Sequence, residues 1–210
     1  MSGPLIPERI PLFPLPSAVL FPGMPLPLHV FEPRYRRMVG DALEAERFIG
    51  MTLLRPGWEA DYEGRPPVYA CGCAGRIEQC QSLPDGRYAL VLRGVSRFRI
   101  ESEQEGREYR IARVSRLDDA AGDESRLSAA RHQVLEVVGR ASDGPALLGL
   151  RADIPHDVFV NALCQSISLS PVEQQSLLEC DSVLDRCLRL IEILEFKALE
   201  SGSPGVRGVH

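Results

Sequence analysis

The spacing of apolar residues changes partway along the chain. Up to about Leu117, short apolar runs are broken by prolines and glycines; beyond Asp118, apolar residues recur every three or four positions. Side chains repeat every two residues in a strand and about every 3.6 in a helix, so the first pattern predicts strands and the second helices. Strands are predicted at Arg9–Phe13, Ala18–Phe21, Leu26–Phe31, Phe48–Leu54, Val68–Gln81, Arg87–Leu92, Phe98–Glu101 and Tyr109–Leu117. Asp85-Gly86 between two apolar runs predicts a hairpin. One helix interrupts the strands: Tyr35, Met38, Val39, Ala42 and Leu43 share a helical face, and Pro33 suits its first turn, where a missing N–H costs nothing.

In the second half, Leu127, Ala130, Val134, Leu135 and Val138 form one core-facing stripe, and Val158, Phe159, Ala162 and Leu163 another behind Pro155. Ser170-Pro171-Val172-Glu173 combines an N-cap serine, a proline at the first helical position and a glutamate at the third, a capping box that fixes a helix start. The last helix is predicted from about Ser182 to Leu199, ended by Gly202. The fold class expected is α+β: a β-rich subdomain over residues 1–117, a helical subdomain over 118–200 and a disordered tail over 201–210.

Composition narrows the functions. The 210 residues carry a net charge of −5, with 16 basic and 14 acidic residues up to Arg116 and 8 against 15 beyond it, so nucleic acid is not the expected partner. Lys197 is the only lysine and has no glycine-rich loop around it, which excludes a phosphate-binding loop of the G-x-x-x-x-G-K-[ST] form and leaves a Ser-Lys peptidase dyad without a suitable base. The uncharged stretch Ile10–Leu28 contains six prolines and cannot span a membrane, where every backbone donor needs an internal acceptor. A cytoplasmic location with reduced cysteines is expected.

Candidate chemistry is sparse. Cys71, Cys73 and Cys80 are the only cluster resembling metal ligands, but Cys80 has the opposite strand parity, and all three read as packing residues, as do Cys180 and Cys187. No histidine sits in a recognisable nucleophile motif. Arg93, Arg97 and Arg99 read as a solvated strand face, with an RNA-binding stripe as the alternative. Trp58 and Tyr62, in the polar loop between Arg55 and Pro67, are either a structural cap or a contact surface for an apolar peptide.

Three runs together carry a family resemblance: Ile10-Pro11-Leu12-Phe13-Pro14-Leu15, Val19-Leu20-Phe21-Pro22-Gly23 and Leu26-Pro27-Leu28-His29-Val30-Phe31-Glu32-Pro33-Arg34-Tyr35. This opening resembles that of the amino-terminal domain of Lon proteases, and Cys73-Ala74-Gly75-Arg76-Ile77, Asp85-Gly86-Arg87-Tyr88 and Gly94-Val95-Ser96-Arg97-Phe98-Arg99-Ile100 are similar to its later strands. The resemblance implies a small PUA-like β-barrel with an inserted helix, joined to a helical bundle. It further implies a stand-alone, non-catalytic polypeptide-binding module without the family's ATPase and peptidase parts, with no cofactor and no metal. Its expected partners are unfolded, exposed apolar or extended polypeptide segments, held in a groove between barrel and helices and delivered to a separate protease or chaperone. The motif residues Phe31, Glu32, Pro33, Arg34, Tyr35, Asp85, Gly86, Gly94, Arg97 and Phe98 are assigned to the fold, Phe31 and Tyr35 as buried rings and Gly94 as a tight strand exit. A PUA-like barrel leaves two alternatives open, RNA binding and small-ligand binding in an aromatic pocket.

Overall fold

Proline and glycine set the limits of the first strands, and the structure, a computed structural model, describes residues 5–62, 64–104, 108–140 and 154–202. The strands are β1 (Arg9–Leu15), β2 (Pro25–Val30), β3 (Phe48–Leu53), β4 (Cys71–Ser82), β5 (Tyr88–Gln104) and β6 (Arg110–Leu117). The helices are α1 (Pro33–Glu44), α2 (Glu124–Arg140), α3 (His156–Ser166), α4 (Pro171–Leu178) and α5 (Val183–Gly202), with a short 3₁₀ turn at Trp58–Asp61. The expected α+β class is therefore present. The expected tail lies outside the described residues from position 203 onward, and α5 continues through Gly202.

β1 pairs with β3 in parallel and with β6 antiparallel; β3 pairs with β4, β4 with β5, and the second half of β5 with β6. Five strands thus form a closed circuit of pairings, and β2 adds to the first half of β5 from outside. Inside the circuit, Ile10, Leu12, Ala74, Phe98, Ala112 and Val114 make one apolar cluster. Gly50 and Gly72 leave room for the Phe98 ring, since a Cβ on Gly72 would lie 2.6 Å from it. On the opposite side, Met51, Leu53, Cys71 and Cys73 join Tyr35, Met38 and Val39 of α1 and Phe159, Leu163, Leu177 and Leu190 of the helices in a larger core. That core runs without a break across the boundary expected at residues 117 and 118.

Two strand expectations need correction. Arg87–Leu92 and Phe98–Glu101 belong to one strand, the 17-residue β5. Ala18–Phe21 forms no strand, because its backbone groups are satisfied by the helices. The Phe21 N–H donates to Gln165 Oε1 (3.1 Å), and Gln165 Nε2 donates to the Val19 carbonyl (3.1 Å). Gly94 also departs from expectation: it lies inside β5, not at its exit, where its N–H donates to the Met24 carbonyl and its carbonyl accepts from Gly23. A Cβ there would stand 2.1 Å from the Phe21 carbonyl oxygen, so only glycine admits this approach.

Candidate functional site

α1 begins at Pro33, and the residue before it, Glu32, does not cap the helix with its side chain. Its carboxylate is engaged elsewhere. Tyr62 donates its hydroxyl to Glu32 Oε1, and Arg34 donates from Nε to Glu32 Oε2 at 3.1 Å. Arg34 also donates from Nη2 to the Tyr62 carbonyl and lies over two rings, 4.7 Å from the centre of Tyr35 and 5.1 Å from that of Tyr62. The loop between Arg55 and Pro67 is therefore tied down onto the start of α1. Gly57, at φ 87°, gives the left-handed turn that launches the 3₁₀ segment, and Trp58 packs edge-on against Tyr62 with ring centres 5.3 Å apart.

Beneath this loop lies a pocket of about 270 Å³ lined by Tyr35, Tyr62 and Tyr109 and by Arg34, Arg65 and Arg110, with Pro14, Leu54, Pro66 and Glu108 completing it. Two of the three arginines are paired with a carboxylate, Arg34 with Glu32 and Arg110 with Glu103. Arg110 grips Glu103 through two nitrogens and donates a third bond to the Pro66 carbonyl; Arg65 donates to the Gln104 carbonyl. Burial pushes the Tyr35 phenol up to about 12, and burial together with the bond to Glu32 raises Tyr62. Both rings are neutral at physiological pH, so the pocket offers amphipathic aromatic walls, with Arg34 and Arg110 neutralised by Glu32 and Glu103 between them.

The structure thus brings Glu32, Pro33, Arg34 and Tyr35 together with Trp58 and Tyr62. Asp85 and Gly86 form the tip of the β4–β5 hairpin, which rests against Arg36 of α1. Phe31, expected to be a buried ring, is 61% exposed and meets His29 edge-on at 6.5 Å, because it follows the last residue of β2 and points away from the core. Arg97, expected on a solvated face, is buried at 4%. Its guanidinium donates to the Leu178, Cys180 and Asp118 carbonyls and pairs with Asp119 at 2.8 Å. The fully buried Arg186 of α5 meets the same Asp119 at 2.7 Å and donates to Asn161 Oδ1 and to the Leu177 carbonyl. Sequence reasoning missed Arg186. Its signal was position, since it falls between Val183 and Leu190 on a stripe that otherwise buries apolar side chains.

Other candidate groups are accounted for by packing. Cys71 and Cys73 are buried on the helix-facing side of β4, and Cys80 is half-buried beyond a bulge. Burial raises all six thiols, Cys71 and Cys187 to about 11, and a protonated thiol is a poor nucleophile. Lys197 pairs with Glu173 at 3.1 Å. Among the described residues, no group of three or more His, Cys, Asp or Glu is placed to hold a metal, and no helix is long and apolar enough to cross a membrane.

A six-stranded sheet, five of its strands paired in a closed circuit and backed by helices, with an aromatic pocket at the start of α1, defines an α+β domain, and comparison places it further. The family model of the ATP-dependent protease La (LON) substrate-binding domain matches residues 9–195, and the chain belongs to that family. The Lon protease of Parabacteroides distasonis is 26% identical over 203 residues, covering 92% of this chain and 24% of that protein; Lon protease 2 of Desulfotalea psychrophila is 29% identical, covering 90% and 25%. The chain thus spans about a quarter of the length of these relatives. The N-terminal domain of Mycobacterium avium complex Lon protease shares the fold with a TM-score of 0.70 at 17% identity, over 90% of this chain and 98% of that one. A Lon N-terminal domain protein from Xanthomonas campestris aligns with a TM-score of 0.59 at 25% identity, over 93% and 99%.

Proposed function

We propose that the protein is a non-catalytic polypeptide-binding module, and that the pocket framed by Tyr35, Tyr62 and Tyr109 receives an apolar or aromatic side chain of an extended or unfolded segment. The observation that carries this reading is the convergence of the motif residues Arg34 and Tyr35 with the Trp58–Tyr62 loop on one pocket. Aromatic walls supply contact area at little entropic cost, and the pairing of Arg34 and Arg110 with carboxylates lowers the charge left to desolvate. The closed circuit of strands supports reading the sheet as a PUA-like barrel, and residues 1–117 and 118–200 as two subdomains docked through a shared core. A cytoplasmic protein that hands segments to a separate protease or chaperone fits the family's substrate-binding description.

RNA binding finds less support, because Arg97 is buried and Arg93 is paired with Glu78 at 3.1 Å. Trp58 is the only tryptophan, so its fluorescence reports on the loop alone. Titration with a reduced, carboxymethylated and permanently unfolded protein is expected to shift Trp58 emission saturably and without ATP. An unchanged spectrum at all concentrations, together with no change in anisotropy of the labelled polypeptide, would refute the proposal.

A further inference from the structure

Two strand edges are open on the three-stranded part of the sheet formed by β2, β5 and β4, and they differ in their backbone chemistry. On β2, Gly94 donates to the Met24 carbonyl and Pro25 stands opposite Arg93, so even-numbered residues face β5 and Pro25, Pro27 and His29 face outward. Prolines occupy two of the three outward positions. They have no N–H to offer, and the strand is closed to a further one.

β4 is different. Arg47 accepts from the Ile77 N–H and ends the pairing with the β3 side; past the bulge at Glu78, Gln79–Ser82 are paired to β5 alone. Leu83 donates to the Arg87 carbonyl and Gly86, at φ 78°, donates back to Leu83, a three-residue loop closed by a left-handed glycine. Leu83 therefore faces β5. Ser82 opposite Tyr88 and Cys80 opposite Leu90 turn their N–H and C=O groups away from it. Among the described residues, none hydrogen-bonds to those four groups. Nothing in Gln79–Ser82 is proline or charged, and the adjoining Glu78 is neutralised by Arg93. A depression of about 520 Å³ lies on the face of these three strands, running from Pro27 and His29 of β2 over Val91 of β5 to Gln79 and Gln81 at the β4 margin.

We infer that the outward edge of β4 at Cys80–Ser82 is a docking site for an uncharged, extended polypeptide segment, which adds to the sheet as a further strand. Donors and acceptors repeating every second residue match another extended backbone and little else, and the strand itself, Gln79–Ser82, offers an ionic segment no counter-charge. The inference rests on the polypeptide-binding reading above and assigns it a second element, backbone pairing at β4 in addition to side-chain capture at the tyrosine pocket. The prolines of β2 direct such a strand to one edge of the two.

The test uses the full chain and a capped, fluorescein-labelled octapeptide of alternating threonine and valine, with two N-methylated versions that block either the odd or the even amides. Ser82→Pro removes an outward N–H and leaves the β5 ladder intact, whereas Ser82→Ala keeps it. Expected are saturable binding to the wild type and to Ser82→Ala, about tenfold weaker binding to Ser82→Pro, the equivalent of one or two backbone hydrogen bonds, and loss for one methylation phase but not the other. The methylated peptides test the edge on unaltered protein, so a misfolded Ser82→Pro leaves the conclusion intact. Equal binding of all three peptides overturns the β4 edge and leaves the polypeptide reading standing. No binding of the octapeptide or of any unfolded polypeptide to the wild type overturns both.

Discussion

The Arg97 guanidinium on β5 and the Asp119 carboxylate just beyond β6 meet at 2.8 Å at the seam between the strands and the helices. Asp119 serves a second buried cation as well, Arg186, and the carbonyls at the C-terminal end of α4 complete both guanidinium shells. One acidic side chain thus holds two buried arginines from opposite sides of the seam. Gln175, Gln165 and Asn161 add bonds from the helices to the Cys71, Val19 and Pro22 carbonyls. The cleft between strands and helices, where the binding groove is expected from the sequence, is filled by this network, and the pocket lies instead at the start of α1.

Removing Asp119 leaves two guanidinium groups buried without their counter-charge. Breaking a buried pair from one side typically costs about 3–5 kcal/mol. Asp119→Ala is expected to lower urea-unfolding stability by about 3 kcal/mol, whereas Asp118→Ala, whose carboxylate is largely exposed, changes it by less than about 0.5 kcal/mol. Equal effects from the two substitutions would deny the seam its electrostatic lock.

Two glycines should respond to alanine with opposite signs. Gly94→Ala sets a Cβ at 2.1 Å from the Phe21 carbonyl oxygen and is expected to destabilise by at least about 2 kcal/mol, since neither backbone can yield. Gly40 lies within α1, where a Cβ would meet only the Tyr88 hydroxyl at 3.9 Å. Gly40→Ala should therefore stabilise by about 0.5–1 kcal/mol through helix propensity. Thermal unfolding of the two variants beside the wild type checks both.

The α4 start offers a local test. Ser170 accepts from the Glu173 N–H at 3.3 Å, and Glu173 accepts from the Ser170 N–H at 2.6 Å. Ser170→Ala is expected to cost about 1 kcal/mol in urea unfolding, and Ser170→Gly only a few tenths. A larger loss for glycine than for alanine would contradict the capping role.

Stability should fall as pH rises above about 9. Burial pushes the Cys71 and Cys187 thiols up to about 11 from an ordinary value of 9.0. Between those limits the native state holds protons that the unfolded chain releases, so the slope of stability against pH is negative. Urea midpoints are expected to drop from pH 8.5 to 10.5 and to drop less in the Cys71→Ala/Cys187→Ala double variant. A midpoint that rises over this range would contradict the burial of the two thiols.

The α+β class, the α1 stripe and the capping box were legible because local chemistry determined them: Tyr35, Met38, Val39 and Ala42 are buried as their spacing predicts. The β5 strand was split because its pairing shifts register near Gly94 and again between Ile100 and Ser102, which breaks the two-residue alternation. Ala18–Phe21 misled for a different reason, since its apolar run packs in the core while glutamine and asparagine side chains some 140 positions away hold its backbone. Arg97 gave no warning, since a buried arginine reads as solvated until its partner is seen, whereas Arg186 stood on the apolar stripe of α5 and only its partners were out of sight. At the candidate site, Trp58 and Tyr62 stood out as aromatics in a polar loop, but their union with Arg34 depends on a contact between residues about 30 positions apart that no local period encodes.

Hydrogen–deuterium exchange of the full chain with and without a saturating unfolded polypeptide tests the binding site most directly. Amides in the Arg55–Pro67 loop and at the start of α1 are expected to slow on addition of the polypeptide, while α2 and α5 stay unchanged. Saturable binding with no slowing around Trp58, Tyr62 and Arg34 would contradict the assignment of this pocket.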